Sequence, residues 1–274
     1  MNSRRMRPLL GTFVEIGARI GAGGGAAANA AITAAFAGIE TIQRLLSFHD
    51  PDSDLSRLNR RPGDEIELHP LSLRVLRLAR CFTRASGGLF NCTVGGALVR
   101  LGRLPDHGGP PPLDFGIADD IEIFPERGSA RLRRPLRITL DGIAKGYAVD
   151  HGVLILRRHG ADSGWINAGG DLRVFGDMKL PVRRPEPDGG FTSFGELQLT
   201  ALATSRVQNI PDDRFPGFIV AAGSDAPPKG VWSVLAAQAW RADALTKVAA
   251  LAQDAAREAL LNRLGGRLCP VQLL

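Results

Sequence analysis

The feature that most restricts the fold is an order of strand, turn, helix, strand and turn that ends at residue 171. Thr139-Leu140-Asp141-Gly142-Ile143-Ala144-Lys145-Gly146-Tyr147-Ala148-Val149-Asp150 opens it. From Lys145 to His159 the apolar positions Ala148, Val149, Val153, Leu154, Ile155 and Leu156 form a broad helical stripe that closes at Gly160. Trp165-Ile166-Asn167 then reads as a strand running into Ala168-Gly169-Gly170-Asp171, and Leu172-Arg173-Val174-Phe175 continues extended. Both segments place glycines where strands end. Gly142 and Gly146 let a phosphate or ribose approach the backbone, the helix start supplies N–H groups, and Lys145 adds positive charge, so a diphosphate suits that end. The same spacing also suits tight strand-to-helix packing with Lys145 solvated.

Around this unit the pattern predicts a strand over Thr12 to Ile16 after a turn at Gly11. It predicts an alanine-rich helix from Ala26 to Leu46 that packs through small residues, and a short capped helical turn over Ser53 to Asn59. A further helix runs from about Ser72 to Ala85 and stops at Ser86-Gly87-Gly88. Residues 103–115, with Pro105, Gly108, Gly109 and Pro110-Pro111-Pro112, read as a loop. Strands are expected over Ile121 to Phe124, Leu136 to Leu140, Gly195 to Ala203 and Gly230 to Ala237. A last helix is expected from Asp243 into the low 260s, ending at Gly265-Gly266.

Composition narrows the function. A chain of 274 residues that is 44% hydrophobic has enough apolar material for a sizeable core. The net charge of +6 favours anionic partners, but the arginines are interleaved with acids and form no polybasic tract, so no nucleic-acid partner is expected. Cys81, Cys92 and Cys269 show no C-x-x-C pairing; buried, reduced thiols are expected rather than a disulfide framework or a zinc site. Pro8, Gly11 and Glu15 interrupt any secretory apolar core, and the glycine-rich run from Gly17 to Gly38 is too small in side-chain volume to span a bilayer. A cytoplasmic location without stable membrane insertion is therefore expected.

The pair Leu140-Asp141-Gly142-Ile143-Ala144-Lys145-Gly146-Tyr147-Ala148-Val149-Asp150 and Asn167-Ala168-Gly169-Gly170-Asp171 resembles the signature of the ApbE-type FAD:protein FMN transferases. Asp141 departs, standing where the first of two glycines is usual. Further segments keep that family's order: Leu10-Gly11-Thr12-Phe13-Val14-Glu15-Ile16, Phe48-His49-Asp50-Pro51-Asp52-Ser53-Asp54-Leu55-Ser56-Arg57-Leu58-Asn59 and Ser86-Gly87-Gly88-Leu89-Phe90-Asn91-Cys92-Thr93-Val94-Gly95. The resemblance implies an α+β fold with mixed sheets packed by helices, one such domain over residues 1–274, FAD as small-molecule substrate and a protein acceptor whose Thr or Ser hydroxyl takes FMN. Many relatives are tethered through a cysteine near the start; here the first is Cys81, so no such anchor is expected.

The resemblance also implies the site. Gly11, Thr12, His49, Asp141, Gly142, Lys145, Asn167, Gly169, Gly170 and Asp171 would bind FAD, with His49 where relatives carry a tyrosine against the flavin ring. Mg²⁺ would be held by the Ala144 carbonyl, Asp243 and a hydroxyl one helical turn later. Lys247 stands where that threonine is usual: it pairs with Asp243 on one helix face, or contacts FAD phosphate and partly replaces the metal, or Thr246 rotates in as the substitute hydroxyl. Asp243, Thr204 and Ser205 are the catalytic candidates. Asn91 and Cys92 replace a usual Asp-Pro, read as a packing change, while Arg57 and Asn59 either position a ligand or are surface polarity. The family's His followed by Asp-Pro-Arg-Thr-Gly is missing. Phe218 stands at the histidine's place and cannot move a proton, with Ser224 or Asp225 as nearby substitutes. A non-catalytic FAD-binding member of the family is therefore the alternative.

Overall fold

The computed structural model describes residues 3–21, 24–185, 190–207, 219–220 and 230–269. The first half contains β1 (Ser3–Leu9), β2 (Thr12–Arg19), α1 (Gly24–Leu46), α2 (Asp54–Arg60), β3 (Ile66–Glu67), α3 (Pro70–Ala85), α4 (Gly95–Arg100), β4 (Ile121–Phe124) and β5 (Ser129–Leu132). The second contains α5 (Ala144–Arg158), β6 (Ser163–Ala168), β7 (Asp171–Phe175), β8 (Leu180–Pro185), β9 (Phe191–Leu197), β10 (Ala201–Val207), β11 (Gly230–Ala236), α6 (Ala239–Leu251), α7 (Asp254–Arg263) and β12 (Gly266–Leu268).

Seven strands form the main sheet in the order β1-β2-β6-β7-β10-β11-β12, and each neighbouring pair runs antiparallel. Side chains alternate across a strand, and this splits the core in two. Val14, Ile16, Ile166, Ala168, Phe175, Ala201, Ala203 and Val234 face a layer in which α1 lies against β1 and β2, α5 against β6 and β7, and α6 against β10 and β11. Trp165, Leu172, Val174, Leu202 and Leu235 point to the opposite face, where Leu197 of β9 joins them and Leu180 and Val182 of β8 pack against the cluster. Helix α1 inserts Ile32, Phe36, Ile39 and Ile42, all fully buried, at about 1.5–3 kcal/mol each. Smaller sheets, β3-β5-β4 and β8-β9, complete the α+β architecture.

Four sequence expectations change. Leu136, Ile138 and Leu140 are buried as a strand would bury them, yet the segment has only an isolated bridge between Arg137 and Val94. The Asn59 side chain takes a neighbouring strand's part: its Nδ2 donates to Ile138 O at 2.8 Å, and its Oδ1 accepts from Ile138 N at 2.7 Å. The run Gly195 to Ala203 divides into β9 and β10 at Leu199, which has φ of +52° and is 68% exposed. The last helix starts earlier, at Ala239, and splits at Ala252, whose backbone is extended; Arg257 donates to Ala249 O and Ala252 O and satisfies the end of α6. Of the cysteines only Cys92 is buried, its thiol pushed up to about 11 by desolvation; Cys81 is exposed. Arg57, its side chain 44% exposed, pairs with Asp54, and Asn91 bonds Thr93 N and Gly116 O. Among the described residues no helix is long and apolar enough to cross a membrane.

Candidate active site

Two tight hairpins lie side by side at one end of the main sheet. Leu9 pairs with Thr12 and Ala168 with Asp171, so each turn has two central residues, Leu10-Gly11 and Gly169-Gly170. All four have positive φ, the conformation of turns that match the strands' twist. A Cβ on Gly169 would stand 2.5 Å from Thr12 Oγ1, so the first hairpin is seated against the second. Asn167 Oδ1 accepts from Gly170 N at 3.1 Å and fixes the second turn.

Strand β7 leaves that turn with Asp171, 2% exposed, on the helix face of the sheet. Lys145 Nζ, from the first turn of α5, stands 3.2 Å from Asp171 Oδ2. The approach is an ion pair without hydrogen-bond geometry, so this buried oxygen keeps its capacity to accept. Burial first, and then the nearby Asp243, push the Asp171 carboxyl up to about 6 against the opposing pull of Lys145 and Lys247. Lys145 is in turn raised, chiefly by Asp171. The two glycine-bearing segments that stood out in the sequence thus meet.

Helices α5 and α6 exchange caps. Neither has a side-chain cap from its own N-cap residue, Ile143 or Gln238. Asp243 of α6 instead accepts from Gly146 N at 3.2 Å, and Asp150 of α5 accepts from Ala239 N and Trp240 N, each at 3.0 Å. A carboxylate at a helix start is favoured by the aligned peptide dipoles. Gly146 is what allows this approach, because a Cβ there would lie 2.4 Å from Ala239 O. Of the two readings of that glycine, the packing one describes it. Asp150 was not singled out from the sequence; its signal is the four-residue spacing from Gly146, which puts both on one helix face.

Asp243 is 2% exposed, and each of its carboxylate oxygens has a partner: Oδ2 accepts from Gly146 N, and Oδ1 from the Lys247 ammonium one turn on. Lys247 Nζ also donates to Asp243 O at 3.2 Å. The Lys247 stem lies near the turn before α5: a Cβ on Gly142 would be 3.3 Å from its Cε and 3.2 Å from the Phe90 ring. Asp141 Oδ2 accepts from Thr139 Oγ1 at 3.1 Å, and the exposed His49 lies within electrostatic reach of that carboxylate.

Alternation separates the two hydroxyl candidates on β10. Ser205 faces the helices and meets Thr246 Oγ1 at 2.7 Å, whereas Thr204 points to the opposite face and meets Ser233 Oγ at 2.9 Å. Ser205 therefore belongs to the cluster and Thr204 does not. Phe218, Ser224 and Asp225 lie outside the described residues.

Two of the expected magnesium ligands, Asp243 and Thr246, do not fit the ion as they stand. Mg²⁺ demands near-octahedral oxygen ligands at about 2.0–2.1 Å. Here an ammonium holds one Asp243 oxygen and an N–H the other. The Thr246 hydroxyl donates to Asp243 O at 2.7 Å and faces Ser205. Among the described residues no three His, Cys, Asp or Glu side chains converge on a point where a metal could bind.

A model of the ApbE family matches residues 10–269. The FAD:protein FMN transferase of Klebsiella pneumoniae (strain 342) is 26% identical over 191 residues, 63% of this chain and 59% of that protein, so the match spans less than two thirds of the relative. Similar folds occur in crystal structures of the flavinyl transferase ApbE of Pseudomonas stutzeri in its apo form (21% identity, 95% and 89% of the two chains, TM-score 0.76) and of the ApbE protein of Thermotoga maritima (21%, 97% and 93%, 0.77). The flavin transferase ApbE of Vibrio cholerae is a third (20%, 94% and 90%, 0.73).

Proposed function

This chain belongs to the ApbE family, and on that premise we propose that it transfers FMN from FAD to a Thr or Ser hydroxyl of an acceptor protein. The hydroxyl oxygen attacks the phosphorus of the FMN half. The bond from that phosphorus to the bridging pyrophosphate oxygen breaks, AMP leaves with the bonding pair, and the hydroxyl proton is released. Such a reaction depends chiefly on positioning and on cancelling the charge that builds on the leaving phosphate.

The observation that carries this reading is the Lys145–Asp171 ion pair, which draws the start of α5 to the turn between β6 and β7. In the proposed complex the turns at Gly11-Thr12 and Gly169-Gly170 and the Gly142 segment border the dinucleotide, and Lys145 meets its diphosphate. Asn167 and Asp171 shape the adenosine side, and His49 stacks on the flavin. Asp243 orders the start of α5, and Ser205, bonded to Thr246, is the β10 hydroxyl on the helix face. No step is assigned to magnesium, because its donors are engaged.

Phe218 favours a second reading, an FAD-binding member that does not transfer, since phenylalanine offers no proton acceptor. Incubation with FAD and a candidate acceptor decides between them. Covalent flavin fluorescence on the acceptor with matching AMP release supports transfer; tight FAD binding without either supports the second reading; no binding overturns both.

A further inference from the structure

We infer that Lys247 is the resident cation of this site: its ammonium, clasped by Asp243, contacts the dinucleotide's pyrophosphate, so that FAD binds without a divalent metal. This deepens the flavin reading above and rests on it.

Three observations carry the inference. First, Lys247 Nζ is bonded twice to Asp243, through the carboxylate Oδ1 and the main-chain oxygen. A metal would therefore have to evict an ammonium from the carboxylate it needs and then sit beside it. Second, the lysine is not a surface residue swinging in from solvent. Its side chain is 20% exposed, and its stem is wedged against Gly142, where any Cβ would crowd it. The ammonium lies beside the first turn of α5, held there by Asp243. Third, the remaining hydroxyl that could complete a metal shell, Thr246, is fully buried and bonded to Ser205 and Asp243 O.

An ammonium in this position does part of what a metal does. It supplies positive charge to phosphate oxygens and donates hydrogen bonds to them. With Lys145 beside Asp171 it gives the site two lysines, each paired with a buried aspartate. Each keeps donors beyond those its aspartate uses, since an ammonium has three.

Titrating FAD into the full chain with flavin fluorescence quenching, in excess EDTA or in MgCl2, tests this. The expected result is equal affinity in the two buffers, within about twofold. Lys247→Thr, which removes the ammonium and restores a hydroxyl, is expected to lose at least about tenfold in affinity in EDTA and to regain it in MgCl2. Mn²⁺ should give a bound electron paramagnetic resonance signal with the Lys247→Thr protein and FAD, and none with the unmodified chain and FAD. Lys247→Met keeps the stem's bulk, guards against a fold defect in the threonine variant, and is expected to weaken FAD binding in both buffers. FAD binding that needs Mg²⁺ in the unmodified chain, or Mn²⁺ bound there, overturns the inference and leaves the flavin reading intact. Equal FAD binding by the unmodified and Lys247→Met proteins also overturns it. Absence of FAD binding in either buffer overturns the flavin reading as well.

Discussion

At the scale of single residues, buried charge dominates the site, and Asp171 is the clearest case. Its carboxyl is raised from 3.8 to about 6, with burial as the main cause. A carboxyl that binds its proton more tightly in the folded state than in the unfolded chain makes folding less favourable as pH rises from 3.8 to 6; the cost is complete above that range and vanishes below it. Asp171→Asn removes this titration, so denaturant midpoints measured across the range should fall with pH in the unmodified chain and stay flatter in the variant. The difference should be on the order of 1–3 kcal/mol. The variant leaves Lys145 without its partner, and its FAD affinity should drop even where its stability does not. Parallel pH profiles for the two proteins would contradict the assignment. Ser205 and Thr204 offer a second residue-level test, because one strand points them to opposite faces. Thr204→Val should leave flavin transfer unchanged, whereas Ser205→Val, beside Thr246 and Asp243, should slow it measurably in a single-turnover assay.

At the scale of elements, the contact between α5 and α6 matters most, because it sets where the first turn of α5 points. Gly146→Ala puts a methyl group 2.4 Å from a backbone oxygen that cannot move without shifting α6. Overpacking of this kind costs about 1–3 kcal/mol, read as a lower urea midpoint with unchanged slope. Asp150→Ala strips the cap from α6 and should cost about 0.5–2 kcal/mol or more, since Arg173 also loses its partner. Much of this was legible in the sequence. The apolar stripe from Ala148 to Leu156 located α5, and the Ser53 cap of α2 is present, accepting from Ser56 N at 3.0 Å. What could not be read is where backbone partners come from outside the local chain. Leu136 to Leu140 alternates like a strand, but an asparagine 79 residues away from Ile138 closes that residue's hydrogen bonds. The break in α6 carries no proline or glycine; Arg257 makes it tolerable from beyond the break. Leu199 turns the chain between β9 and β10 in a conformation that leucine rarely adopts, so nothing in its residue type announced it.

At the scale of the whole molecule, the site is assembled from segments that are remote in sequence: the β1–β2 turn, the start of α5, the β6–β7 turn and the middle of α6. Their order was legible because each segment carries its own glycine or charge pattern, whereas their convergence depends on the main sheet's strand order, which places β2 next to β6 across more than a hundred residues. A ligand that touches all four must bind the folded chain and not the unfolded one, so its binding free energy adds to global stability. With FAD at about a hundredfold its dissociation constant the gain is about 2.7 kcal/mol, which for a chain of this size raises Tm by roughly 5–10 °C. Hydrogen exchange followed by mass spectrometry should then show slowing in all four segments together, with the β8–β9 hairpin on the opposite face least affected. AMP alone should protect the β6–β7 turn and the start of α5 more than the neighbourhood of His49. Protection confined to one segment, or centred on the sheet face bearing Trp165 and Leu202, would mean that the flavin binds elsewhere.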